Sequence, residues 1–320
     1  MPSARPATAQ IRFSLRLQIS DAHPDKDEKL NLLQALADDK RVLSFRSDYR
    51  DKNVRIRFGL SQRLLSLTKT RKATAYFLDF LCDDRGDKQD LHEFLIREIY
   101  DHICLFVIAC NLAAPGLISI DEPPAYHVND EAFRAPHAFA TDLRECLSDT
   151  PLTRKNIRLL DIWQTWQWLG KNKTFIEGEL SDTNVARAIA AFCNLFSYER
   201  VYGYPTYFVW AMLGLESLYA EGNQNALSQL KGKIGLVLDL DAAETKRIGD
   251  LYNFRSRFFH GDIGLYNPHL MEKVSLRAVK QSHKEATLMA EAVTLFVGTL
   301  QYCARNKINV LKFKYVIDNA

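Results

Sequence analysis

DLYNFRSRFFHGD, Asp250 to Asp262, is an amphipathic helix that runs into a stop. Leu251, Phe254 and Phe258 are spaced for one helical face, with Tyr252 and Phe259 flanking it, so the segment is expected to bury an apolar side against neighbouring helices. Arg255, Ser256 and His260 lie off that face. Gly261 follows at once, and glycine ends helices because it takes the left-handed conformation without steric cost. The chain around this stretch is therefore expected to be a helical bundle, with a cation and an imidazole near one helix end.

Those residue types suit phosphate chemistry. Arginine offers a permanent charge in a planar donor fork, and histidine is the side chain that most readily exchanges a proton near neutrality. Five residues apart, Arg255 and His260 point in different directions on an unbroken helix, which turns ~100° per residue. A break at Gly261 is expected to let the imidazole turn back towards the guanidinium. A second reading needs no chemistry: basic groups in a last helical turn favour the helix dipole by ~0.3–1 kcal/mol each, and His-Gly is an ordinary helix terminus.

Arg255 to His260 also spells R-x-x-x-x-H. Residues 208–238, FVWAMLGLESLYAEGNQNALSQLKGKIGLVL, followed by LYNFRSRFFHGD, carry a Leu-Glu-Ser-Leu helix and a terminal His-Gly. Together they resemble the Apea-like branch of the HEPN domains, a family of helical bundles, over roughly residues 180 to 305. The resemblance implies a metal-independent endoribonuclease with Arg255 and His260 as catalytic residues, RNA (single-stranded or transfer RNA) as partner, no cofactor and no metal. It also implies a homodimer in which two motifs face one cleft, and a defence or toxin role. Ser256 stands where active family members often carry a more polar amide or acid. Glu216, a carboxylate in the otherwise apolar WAMLGLESLY, is expected to pair with Arg255 and orient it, or else to face water. Arg257 is read as a contact to substrate backbone or as a solvated side chain. The alternative function is a non-catalytic HEPN-like module that binds RNA or a protein.

Composition is that of an ordinary globular chain: 320 residues, 47% apolar, 25% charged and net +3. That length favours two units, placed here at 1–150 and 151–320. Residues 225–320 hold 14 Lys/Arg against 9 Asp/Glu, whereas residues 1–224 hold 28 against 30. The positive excess thus accompanies the candidate site, as a polyanionic partner or a solvated basic surface requires. Six cysteines form no C-x-x-C pair and mostly fall in apolar runs, and eight histidines show no ligand spacing, so reduced thiols and no metal are expected. The first ten residues lack the apolar core of a secretory signal, and the apolar run 103–120 is cut by Asn111 and by Pro115-Gly116, so no membrane span is expected there and the cytoplasm is the expected location.

In chain order, alternation predicts strands at 11–19 and 54–60, a short strand at 41–45 and a helix at 27–38. Helices are expected at 73–82 and 89–112, a strand at 117–120, and a loop or linker over DEPPAYHVNDEAFRAPH. RKNIRLLDIWQTWQWL, 154–169, reads as one helix whose Trp163 and Trp166 pack in a core between the two halves, with base stacking by Trp168 as the lesser alternative. Further helices are expected at 184–198 (capped by Asp182), 205–219, 226–238, 244–259 and 281–303, with a loop over 263–276. The predicted fold class is α+β: an N-terminal mixed α/β region followed by a C-terminal all-α bundle.

Overall fold

A computed structural model of the chain describes residues 9–16, 18–19, 26–38, 43–49, 52–66, 72–84, 88–116, 118–119, 125–128, 131–134, 143, 147, 151–196, 205–222, 225–263 and 276–314. They are mostly helical. The chain divides into two compact units, residues 1–107 with 116–141, and residues 108–115 with 142–320.

In the first unit, strands β1 (Ala9–Arg16), β3 (Leu43–Tyr49), β4 (Lys52–Ser66) and β5 (Lys72–Asp84) form an antiparallel sheet in the order β1-β5-β4-β3. Register sets the apolar positions on common rungs: Ile11, Cys82 and Ile56 on one, Phe13, Phe80 and Phe58 on the next, and Leu15, Leu78 and Leu60 on a third. Residues 73–82, expected as a helix, are thus a central strand. Thr74, Tyr76, Phe77 and Phe80 mark it in hindsight, since aromatic and β-branched side chains favour a pleated surface paired on both edges. The strand expected at 11–19 is two pieces, because β2 (Gln18–Ile19) pairs instead with β6 (Ile118–Ser119).

Helix α1 (Lys26–Asp38) sends Gln34 to the hydroxyl of buried Tyr76, 3.2 Å away. The acidic, proline-rich stretch expected as a loop contains a hairpin of β7 (Ala125–Val128) and β8 (Glu131–Arg134). Helix α2 (Lys88–Ala113) follows the predicted 89–112 closely.

The second unit is helical. Its elements are α3 (Pro151–Asn156), α4 (Ile162–Leu169), α5 (Lys173–Ile176), α6 (Asn184–Asn194), α7 (Pro205–Tyr219), α8 (Ala226–Leu238), α9 (Ala242–Phe259) and α10 (Leu276–Arg305). The single helix expected over 154–169 is broken. Asp161 caps α4 by accepting from the Gln164 amide at 2.7 Å, and residues 157–160 run as non-helical backbone.

Trp163, Trp166 and Trp168 are buried within this unit, and Trp168 donates to the Ile308 carbonyl at 3.1 Å, so no tryptophan of α4 presents a face for base stacking. The cap of α6 is Thr183, one residue beyond the expected Asp182. Its hydroxyl accepts from Ala186 N at 3.0 Å, the reach an N-cap oxygen needs. Tyr198 and the loop residues 264–275 lie outside the described residues.

Helix α10 is the hub, packing against α3, α4, α6, α7, α8 and α9. From Met289 to Ala304 every residue but Tyr302 is buried, so this half of the helix is enclosed on all sides. By length and composition it is apolar enough to cross a membrane, yet 78% of its most apolar window is buried inside this protein. At Gly214 of α7, an added Cβ would stand 2.2 Å from the ring of the fully buried Phe296. Ordinary helix propensity would make Gly214→Ala stabilising by about 1 kcal/mol. Overlap with an immobile ring reverses the sign, and we expect a net loss of about 1–3 kcal/mol. Urea unfolding followed by circular dichroism checks this, and a stabilised variant would refute the close approach.

Candidate functional site

The motif helix α9 starts at a capping box: Asp241 accepts from Glu244 N, and the Glu244 carboxylate accepts from Asp241 N, both at 2.8 Å. Of the face the spacing predicts, Leu251 and Phe254 are buried and Phe258 is half-buried, and Ile248 extends it one turn earlier. Phe208 of α7 meets it edge-on, 4.9 Å from Phe254 and 6.3 Å from Phe258 between ring centroids. These three rings hold α9 against α7 in one rotational setting.

That setting brings Glu216 to Arg255. Arg255 Nε lies 3.2 Å from Glu216 Oε1, and Nη2 lies 3.3 Å from Oε2. The carboxylate thus takes the guanidinium side-on; the pairing is the one the sequence led us to expect, rather than its alternative, a glutamate facing water. A guanidinium has five N–H donors, and this pairing uses two of them. The remaining edge is reachable, since the Arg255 side chain is 32% exposed. Two rings flank the cation, Phe259 at 5.0 Å and Tyr252 at 6.0 Å from the guanidinium carbon. Their contribution escaped the sequence reading, although Phe259 stands four residues after Arg255, the spacing that places side chains on one helix face.

The helix ends as a complete Schellman motif. Gly261 sits at φ +75°, its N–H donates to the Phe258 carbonyl at 3.3 Å, and the Asp262 N–H donates to the Arg257 carbonyl at 2.8 Å. Arg257, exposed, reaches the Asp262 carbonyl oxygen at 3.4 Å and so serves the same terminus. Ser256 is half-buried, and its carbonyl accepts from His260 N at 3.0 Å.

His260 itself is the C-cap, at φ −87° and ψ 0°, still on the right-handed path. The break therefore falls one residue too late to turn the imidazole back. His260 is exposed, and among the described residues its side chain makes no hydrogen bond, with Arg255 or with any other group. Within one chain the structure joins Arg255 to Glu216, and His260 makes no hydrogen bond or ion pair with either.

Among the described residues no cluster of three His, Cys, Asp or Glu is placed to hold a metal ion. Burial pushes the Cys303 thiol up to about 12 and raises Cys110 as well, which keeps both as neutral thiols.

Fold and site together define a class no finer than a mostly helical chain with a carboxylate-oriented arginine beside a histidine-capped helix end. Comparison with protein-family models, with curated proteins and with solved structures finds no match.

The terminus separates backbone from side-chain roles. Gly261→Ala forces a Cβ into the left-handed region and is expected to cost about 1 kcal/mol, with nothing near enough to clash. His260→Ala removes an exposed side chain that has no hydrogen bond among the described residues, and is expected to leave the unfolding free energy within about 0.5 kcal/mol of wild type. Thermal unfolding of both variants measures this, and a destabilised His260→Ala would show that the imidazole packs.

Proposed function

We propose that the second unit is a HEPN-like helical bundle, joined to an N-terminal α/β sensing or targeting region, and that the chain is a metal-independent endoribonuclease. One observation carries the reading: Arg255 is oriented by Glu216 yet keeps three donors on an accessible edge, five residues before an exposed imidazole that has no hydrogen bond among the described residues. A cation held in this way is pre-organised to accept a phosphate without first being positioned by it.

In the proposed reaction the RNA 2′-oxygen attacks phosphorus and its proton passes to a neutral His260. The bond from phosphorus to the 5′-oxygen breaks, and that oxygen leaves as a hydroxyl after receiving a proton. Arg255 neutralises the charge that builds on the phosphoryl oxygens. The products are a 2′,3′-cyclic phosphate and a 5′-hydroxyl. One imidazole does not easily act as base and acid together, so the proposal includes a homodimer whose two-fold axis sets a second motif beside the first. The proposal gives Ser256 and Arg257 a supporting role at the phosphate, for which Arg257 would exchange its contact with the Asp262 carbonyl, and it requires no cofactor.

The second reading, a non-catalytic module binding RNA or a protein, is favoured by the helix terminus. The Schellman motif accounts for the His-Gly pair by capping alone, and Glu216 already neutralises Arg255.

Purified protein incubated with single-stranded and transfer RNA in excess chelator decides between them. The nuclease reading expects cyclic-phosphate ends, with cleavage reduced at least ~10²-fold in His260→Ala and in Arg255→Ala. Glu216→Gln is expected to lose less, because it weakens the orientation of Arg255 and leaves its charge in place. Cleavage by none of the proteins, with equal RNA binding by all, supports the module reading.

A further inference from the structure

A second cationic place in the helical unit lies away from the motif. A cavity of about 170 Å³ opens between the end of α8, the end of α3, the non-helical residues that follow α3, and the last turns of α10. Lys155 and Arg158, at and just after the end of α3, and Arg305, at the end of α10, line it.

Lys155 is already satisfied, since its ammonium donates to Glu244 at 2.7 Å. Arg158 and Arg305 are different. Both are exposed, and neither guanidinium has an ion pair or hydrogen bond among the described residues.

The backbone beneath Arg158 is held with unusual completeness. Gln301, 2% exposed, accepts from the Arg158 N–H at 2.8 Å and donates to the Arg158 carbonyl at 2.8 Å. The same amide nitrogen donates to the Leu112 carbonyl, also at 2.8 Å. A buried side chain thus takes the place of a neighbouring strand and fixes the residue that carries the free cation. On the other side Gly298 lets α10 approach α3, since a Cβ there would stand 3.2 Å from the Asn156 carbonyl oxygen. The walls are rigid, and a ligand would meet a preformed site.

We propose that this cavity binds a small phosphomonoester with a hydroxyl-bearing organic part, of the sugar-phosphate kind. Two guanidinium forks, Arg158 and Arg305, unpaired among the described residues and drawn from different segments, suit the dianionic head, which can take bidentate hydrogen bonds from each. Leu160 and Val237 line the same cavity and accommodate a carbon skeleton. Asp239 also lines it, held in the left-handed region at φ 52° where α8 ends. A carboxylate there disfavours a bare phosphate ion and accepts a hydrogen bond from a hydroxyl, which selects the ester. This site is independent of the nuclease reading, because it uses none of that site's residues.

Isothermal titration of the full chain with ribose 5-phosphate, at constant ionic strength and with inorganic phosphate and sulfate in parallel, tests the proposal. Wild type is expected to bind the ester saturably with one-to-one stoichiometry and to bind the two inorganic ions more weakly. Arg158→Gln and Arg305→Gln, both changes of exposed side chains, are each expected to weaken the ester at least about tenfold, the loss of one charge-assisted contact. Asp239→Asn is expected to narrow the gap between ester and inorganic phosphate. No saturable binding of the ester, or equal binding by wild type and both arginine variants, overturns the site. Preference for the inorganic ions in wild type overturns the assignment of the ester.

Discussion

The helical unit is organised by one close approach. Phe296 lies so near the backbone of Gly214 that no side chain fits between them, and this sets how deeply α7 seats on the enclosed helix α10. Glu216 follows two residues after Gly214, and Phe208 precedes it by six on the same helix. The position of α7 therefore controls both the carboxylate that holds Arg255 and the ring that aligns α9. An aromatic cluster and a glycine, neither of them polar, thus decide where the polar pair forms. This order suits the energies. Burial of an apolar side chain of this size contributes about 1.5–3 kcal/mol, whereas a partly exposed ion pair contributes about 1 kcal/mol at most.

Irregular backbone in this unit is held by side chains that replace secondary structure. Gln301 binds both polar groups of Arg158 and the end of α2, and Asn184 treats Leu311 alike, accepting from its N–H at 3.1 Å and donating to its carbonyl at 2.7 Å. Lys233, 3% exposed, spends its ammonium on the Tyr219 carbonyl, Gln229 and Glu221, at 2.9, 3.0 and 3.1 Å, with the Phe313 ring 5.0 Å away. A lysine has three donors, and each has an acceptor, which is why a buried ammonium is tolerated. In every case a side chain meets the need of a chain segment that cannot pair with itself.

Charge in the bundle is consequently of two kinds. Lys155, Lys233 and Arg247 are paired with Glu244, Glu221 and Glu291 and serve the fold. Among the described residues Arg158 and Arg305 are not paired, and Arg255 is paired on one edge only. Cations without full partners give a molecule electrostatic capacity for an anion. They are found at a helix end and at a preformed cavity.

Local pattern was enough to place most helices, because the information sits within one or two turns. Pro205 and Gly222 bracket α7, Leu251 and Phe254 show the buried face of α9, and Gly261 announces its end. The same locality accounts for the errors. Residues 73–82 carry apolar side chains without a decisive period, and only pairing with β1 and β4, from distant parts of the chain, makes them a strand. The break at 157–161 depends on Gln301, some 140 positions away, which satisfies backbone that a continuous helix would have satisfied itself. The Glu216–Arg255 pair was suggested by a lone acid in an apolar helix, but tertiary packing alone decided its side-on geometry. Likewise the sequence contained a histidine before a glycine, while the backbone decided that the helix turns only after His260. Short-range periodicity and capping chemistry determine which residues form elements and which face is apolar; contacts between residues far apart in the chain determine which polar groups meet.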